Sequence, residues 1–206
     1  MTTKAEQKQH TNETILQSAA RLLRERGISG ARVADVMKGA GLTVGGFYAH
    51  FASKEALIDT TLRRTAREMR ARLFARLDAK PEADRAEVVV NRYLSAAHRD
   101  DVAGGCVFPA VVGEVATTAN EHAEVLGEEL DAFAGELETY LPAPGPGGDK
   151  LPRRQLALAT LALMYGGLSL ARAVRGTPLS DEIIRACRAF GRLIARPGPG
   201  EPTAPA

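Results

Sequence analysis

The 206-residue sequence predicts an all-α protein, a short N-terminal trio of helices followed by a longer helical body. Three observations carry this. Apolar residues recur at helical spacing along most of the chain. Val and Ile are scattered singly, with no alternating run bounded by hairpin turns. Gly, Pro, Ser and Thr fall at the edges of the apolar stripes, where helices start and stop.

The first helix is expected over residues 11–26. Ile15, Leu16, Ala19, Leu22 and Leu23 form one stripe, and Gly27 is the expected left-handed stop. A short second helix over 33–40 places Val33, Val36 and Met37 on one side, and Gly41 ends it. Thr43 is the expected cap of a third helix from Val44, and Ser53 of a fourth running towards Lys80. Pro81 marks the next helix start, with that helix reaching about residue 98. Further helices are expected over 106–118 and 120–141. Residues 153–174 are apolar on nearly every face, and Ser180 is the expected cap of a final helix ending near residue 195.

The domain boundaries follow. Residues 1–52 form the head, with 1–10 disordered. Residues 53–196 form the body, with a flexible loop over 142–151, where "PAPGPGGD" has no means of packing. The tail 197–206 is disordered by composition.

Charge separates the two parts. Residues 1–54 hold eight Lys/Arg and four Asp/Glu, a net of +4, whereas the other 19 Lys/Arg and 21 Asp/Glu leave the remainder at −2. A basic head on a faintly acidic body points to a polyanion meeting the head alone. A solvated basic helix surface accounts for the same charges. The polar start "MTTKAEQKQHTNE" has no apolar core of a secretion signal. No apolar run approaches the ~20 residues of a membrane span. Two cysteines make no disulfide framework. A cytoplasmic protein without membrane contact is expected.

Short helices separated by "AGLT" and followed by a long fourth make a helix-turn-helix unit. Gly41 allows the sharp turn through positive φ. The third helix is then the recognition helix, and its exposed turn offers Thr43, Val44, Gly45, Gly46, Tyr48 and Ala49 to base edges. Phe47 and Phe51, four apart, face inward.

The segment "VADVMKGAGLTVGGFYAHFASKEAL" resembles the DNA-binding segment of the TetR family of transcriptional regulators. The resemblance is carried by Ala40, Gly41, Thr43, Gly45, Phe47, Tyr48, His50, Phe51, Ser53, Lys54, Glu55 and Leu57 at fixed spacing. It implies a double-stranded DNA operator as partner, with Thr43, Tyr48, His50 and Lys54 on phosphates. Hydroxyl, phenol, imidazole and ammonium are all donors, and Lys54 opens a helix whose N-terminus favours an anion. Such contacts position the protein without reading sequence. Val44, Gly46 and Ala49 would lie nearest the bases, where small apolar groups touch a thymine methyl. Arg32 and Lys38 add backbone or base contacts. The sequence departs from the family pattern at three places. Ala31-Arg32 stands where a hydroxyl cap is usual, Met37 where alanine is usual, and Gly46 where Thr, Ser or Ala is common.

The resemblance also implies a homodimer, which the helices at 153–174 and 180–194 would form, with Gly166, Gly167 and Ser169 permitting close approach. The C-terminal domain is therefore read as a ligand-binding and dimerisation domain. A small-molecule effector is expected among Phe74, Tyr93, His98, Phe108, Val111, Phe133, Met164 and Tyr165, a region rather than a defined pocket. A homodimeric repressor released from a pseudo-palindromic operator by an apolar or aromatic ligand is the leading reading.

Two alternatives remain at this stage. One is a redox-sensing repressor using Cys106, which stands near a helix start that would favour thiolate. The other is a helical adaptor that binds no DNA. An enzyme built on His98, Asp100, Asp101 and Cys106 is disfavoured, because these flank a Gly-rich loop. No His-x-x-x-His or Cys-x-x-Cys spacing occurs. No catalytic residue, metal ligand or cofactor is assigned.

Overall fold

A computed structural model describes residues 3–142 and 151–195. Every element among them is helical. They fall into two compact units, one drawn from residues 3–69 and 101–129, the other from 70–100, 130–142 and 151–195.

In the first unit, α1 (Lys4–Gly30) starts seven residues earlier than the expected start at residue 11. The expected disorder of residues 4–10 is thereby corrected. The Thr3 hydroxyl accepts from the Glu6 N–H at 3.2 Å, and the Glu6 carboxylate accepts from the Thr3 N–H at 2.7 Å. This capping box satisfies two donors reciprocally and starts the helix where no apolar contact is available. The buried stripe is the expected one, Ile15, Leu16, Ala19, Leu22 and Leu23. At Gly27 the helix breaks, with φ 71° and ψ −170°. One further turn follows, to Gly30.

Helix α2 (Val33–Gly39) buries Val36 and Met37, and its first residue follows Arg32, which makes no side-chain cap. It closes through Gly41 at φ 71°. The Leu42 N–H reaches the Met37 carbonyl at 2.9 Å and the Gly41 N–H the Lys38 carbonyl at 3.0 Å, a Schellman stop. After a short turn comes α3 (Lys54–Phe74). The Ala56 N–H donates to the Ser53 hydroxyl at 3.1 Å, the expected cap. This helix ends at Phe74 rather than near Lys80, because Arg76 takes a left-handed conformation and a 3₁₀ turn follows.

Residues expected as one helix over 106–118 shorten to α6 (Phe108–Val115), which packs on α1. His122, buried, shares its Nδ1 with the Asp59 carboxylate at 2.7 Å. Arg63 pairs with Glu128, and Arg64 with Glu13 and Glu68.

The second unit holds α4 (Arg85–Tyr93), α5 (Ala96–Asp100), α8 (Arg153–Ala173) and α9 (Pro178–Ala195). The single helix expected up to residue 98 is thus two, broken at Leu94. Helix α7 (Ala123–Glu138) runs from one unit into the other, as α3 does. Helix α8 packs on α9, α4 and α5, burying Ala157, Thr160, Leu161, Met164, Gly167, Leu168 and Ala171.

By length and composition α8 is apolar enough to cross a membrane, which corrects the expectation that no such stretch exists. It carries Arg153 and Arg172 near its ends, and its buried stripe lies on helices of its own chain, while Leu158 and Leu170 stay exposed. The expected Ser180 cap is also corrected. Helix α9 starts at Pro178, and the Ser180 hydroxyl donates to the Ala171 carbonyl at 2.7 Å, tying α9 to α8. The loop expected over 142–151 and the tail expected over 197–206 lie almost wholly outside the described residues.

Candidate nucleic-acid interface

The expected recognition helix is present as a six-residue 3₁₀ helix, Val44–Ala49, not as an α-helix. Its hydrogen bonds are of the i→i+3 type, Gly46 N–H to the Thr43 carbonyl at 3.2 Å and His50 N–H to the Phe47 carbonyl at 2.9 Å. Two adjacent glycines weaken α-helix formation by about 1 kcal/mol each, and Thr43 makes no side-chain cap. The segment is instead pinned at both ends, by the Gly41 turn and by Phe47 and Phe51. Those rings are buried and stacked at 5.9 Å.

In a 3₁₀ helix, residues three apart eclipse one another. Gly45 therefore shares a ridge with Tyr48, while Phe47 points into the core. Tyr48 is 76% exposed and Val44 50%, against 1% for Phe47. The Tyr48 ring stands edge-on to Phe47 at 5.2 Å, which orients an otherwise exposed aromatic. Thr43, Gly45 and Ala49 are exposed, and Gly46 is half-buried. A Cβ on Gly45 would meet nothing within 4 Å, and one on Gly46 only the Met37 Cε at 3.9 Å. Met37, larger than the family's usual residue, thus fills the space beneath Gly46 without demanding a glycine there.

The flanking candidates divide. Arg32 and Lys38 are exposed at the two ends of α2. His50 is half-buried, and its Nδ1 is buried without a hydrogen-bond partner. Lys54 turns inward, with its Nζ donating to the Ile28 carbonyl at 3.2 Å. Two further N–H groups of the ammonium are left for a phosphate. Beside it, the Ser53 hydroxyl and its own backbone N–H hold the Glu55 carboxyl below the usual range.

A second residue, Glu114 of α6, grips the same peptide unit, and sequence reasoning missed it. Its carboxylate accepts from the Ile28 N–H at 2.7 Å and the Ser29 N–H at 2.8 Å. Burial pushes that carboxyl up. The Ser29 backbone and hydroxyl, the Ile28 N–H and the Lys54 charge outweigh burial and hold it below the ordinary range. Nothing local signals this contact, because 86 residues separate Glu114 from Ile28. The one available hint was Gly27, whose Cβ would lie 1.9 Å from the Glu114 Oε1.

The expected effector residues do not all come together. Tyr93, His98, Phe133 and Tyr165 form a ring cluster in the second unit, with centroids 4.6–6.2 Å apart, and Phe74 joins it edge-on to Phe133 at 5.6 Å. Met164 is buried in α8 of that unit. Phe108 and Val111 belong to the core of the first unit. The Nδ1 of His98 lies 2.7 Å from the Tyr93 carbonyl, which fixes the proton on that nitrogen.

The loop residues considered for catalysis are held structurally. Asp100 pairs with Arg99 at 2.8 Å, and Asp101 accepts from the Gly104 N–H at 2.8 Å. Cys106 is 2% exposed and lies two residues before α6, and burial pushes the Cys187 thiol up. Among the described residues no cluster of three or more His, Cys, Asp or Glu suits a metal.

Comparison with known proteins agrees with this geometry. Residues 15–61 match the family model described as "Bacterial regulatory proteins, tetR family". The HTH-type transcriptional repressor KstR2 of Mycobacterium tuberculosis is 45% identical over 49 residues, 24% of this chain and 24% of that protein. The HTH-type transcriptional regulator YvdT of Bacillus subtilis is 46% identical over 46 residues, 22% of this chain and 24% of that protein. The match thus spans about a quarter of the length of these curated relatives. Over most of the chain the likeness is structural. A TetR transcriptional regulator from Chloroflexus aurantiacus superposes with a TM-score of 0.72 at 25% identity, covering 89% of this chain and 95% of that one. A TetR-family regulator from Cytophaga hutchinsonii gives 0.73 at 21% identity, covering 91% and 96%.

Proposed function

We infer that this chain is a TetR-type DNA-binding transcriptional repressor that works as a homodimer on a pseudo-palindromic operator. The observation that carries the reading is the ridge of Val44–Ala49. A half-exposed valine and a largely exposed tyrosine stand on a buried phenylalanine, with two side-chain-free positions between them. Thr43, Tyr48, His50 and Lys54 hold phosphates. Val44, Gly46 and Ala49 meet base edges, and Gly45 lets the backbone come close. Arg32 and Lys38 add charge at the flanks.

Dimerisation is supported by α8 and α9, which leave Leu158, Leu170, Leu179, Phe190 and Leu193 exposed on two packed helices. A stable monomer rarely shows that much large apolar surface. The effector is a small apolar or aromatic molecule received by the ring cluster around Tyr93, Phe133 and Tyr165. Its binding shifts the population from DNA-fitting to non-fitting states. The protein acts in the cytoplasm. Burial of Cys106 weighs against a redox sensor.

The test is a mobility shift with duplex DNA flanking the protein's own gene, repeated with Tyr48→Ala. Loss of one charge-assisted phosphate contact is worth about 1.5–3 kcal/mol, roughly 10- to 150-fold in affinity. Circular dichroism and dimer mass are expected to stay unchanged. An unaltered affinity would remove Tyr48 from the interface.

A further inference from the structure

The first turns of α1 wall a cleft of about 530 Å³ that nothing above assigns. One side is Thr3, Lys4, Gln7, Lys8 and Thr11, and the other is Ala49 and His50 at the end of the recognition segment. The α1 residues recur at i, i+3, i+4 and i+7, so they occupy one face of the helix. That face is polar and cationic, whereas the stripe from Ile15 to Leu23 further along α1 is apolar and buried.

No carboxylate lines the cleft. The nearest in sequence, Glu6, is bound to the Thr3 N–H in the capping box. Lys4 and Lys8 have no carboxylate partner among the described residues. His50 lines the cleft, and its Nδ1 is buried without a hydrogen-bond partner. Two ammonium groups, an amide and an imidazole facing one cavity without a counter-charge suit an anion. The capping box gives the arm a fixed helical course.

We propose that this cleft seats a phosphate of the DNA backbone, making the first two turns of α1 a second arm of the interface beside the recognition segment. The proposal rests on the DNA-binding reading above. It extends the footprint beyond the positions of the helix-turn-helix and attaches it to a surface that carries no sequence information. Ala49 and His50 belong to both surfaces, so a phosphate in the cleft is adjacent to the groove that the ridge enters.

The test uses the full chain and the double substitution Lys4→Gln/Lys8→Gln, with Lys80→Gln as a charge-loss control at an exposed residue that does not line the cleft. The probe is a mixed-sequence duplex of about 30 base pairs, titrated by anisotropy between roughly 50 and 200 mM salt. The double variant is expected to bind more weakly and to lose about 1–2 from the slope of log K against log salt, near 0.9 per phosphate contact. Lys80→Gln should keep the wild-type slope. Thermal unfolding with inorganic phosphate forms a second arm. A duplex slope equal to wild type in the double variant overturns the proposal. If phosphate also stabilises only the wild type in that case, the cleft is a free-anion site instead. Failure of wild type to bind any duplex overturns this proposal and the function together, whereas failure of the slope change alone overturns only the cleft.

Discussion

The break in α1 at Gly27 and the paired glycines at 45 and 46 look alike in sequence and are opposite in structure. At Gly27 the fold itself requires the residue. Its φ of 71° and ψ of −170° lie in a region essentially closed to other residues, and the Glu114 carboxylate occupies the place a Cβ would take. At Gly45 and Gly46 neither backbone nor neighbours demand glycine. A glycine explained from inside the molecule marks architecture. One with no internal cause points to something the molecule meets from outside.

The largest expected effect breaks the first half of this comparison. Gly27→Ala combines a forbidden backbone conformation with displacement of Glu114, and should cost about 3 kcal/mol or more. The urea midpoint would fall with an unchanged slope. A loss under about 1 kcal/mol would mean the kink relaxes freely.

Glu114→Gln removes the charge but keeps the glycine and the shape, and should cost about 1–2 kcal/mol near neutral pH. The sign of its pH dependence follows from a carboxyl held lower in the folded protein than in the unfolded chain. That stabilisation is fully present above the ordinary carboxylate range and is lost as pH falls through the lowered folded value. The gap in melting temperature between wild type and Glu114→Gln should therefore close in acid. A gap that is constant with pH would show that the carboxylate's charge is irrelevant.

The smallest effect sharpens the second half. Gly46→Ala should raise stability by about 0.4–1 kcal/mol, because the folded chain has room for the methyl and the unfolded chain loses freedom. It should also weaken operator binding in the mobility shift. If stability and binding both improve, the second glycine has no role at the DNA.

Much of this was readable before the structure. The α1 stripe, the Gly41 turn, the Ser53 cap and the inward Phe47 and Phe51 are local patterns, and local patterns survive in sequence. What escaped is either non-local or a balance of small terms. The Glu114 grip joins residues far apart in the chain, so no periodicity encodes it. The 3₁₀ form of Val44–Ala49 turns on an absent cap and two glycines against two anchoring rings. The early start of α1 depends on one reciprocal cap at Thr3 and Glu6, in a stretch whose composition alone suggests disorder. Lys54 was placed correctly as a helix-opening cation, but its bond to the Ile28 carbonyl joins residues 26 apart and leaves no local pattern.

The open space over Gly45 and Gly46 has one more consequence. Here two positions on the proposed interface carry no side chain and are structurally unencumbered. New side chains can be added there without removing any, so under the proposed DNA-binding reading single substitutions would extend the sequence preference while the scaffold beneath stays as it is.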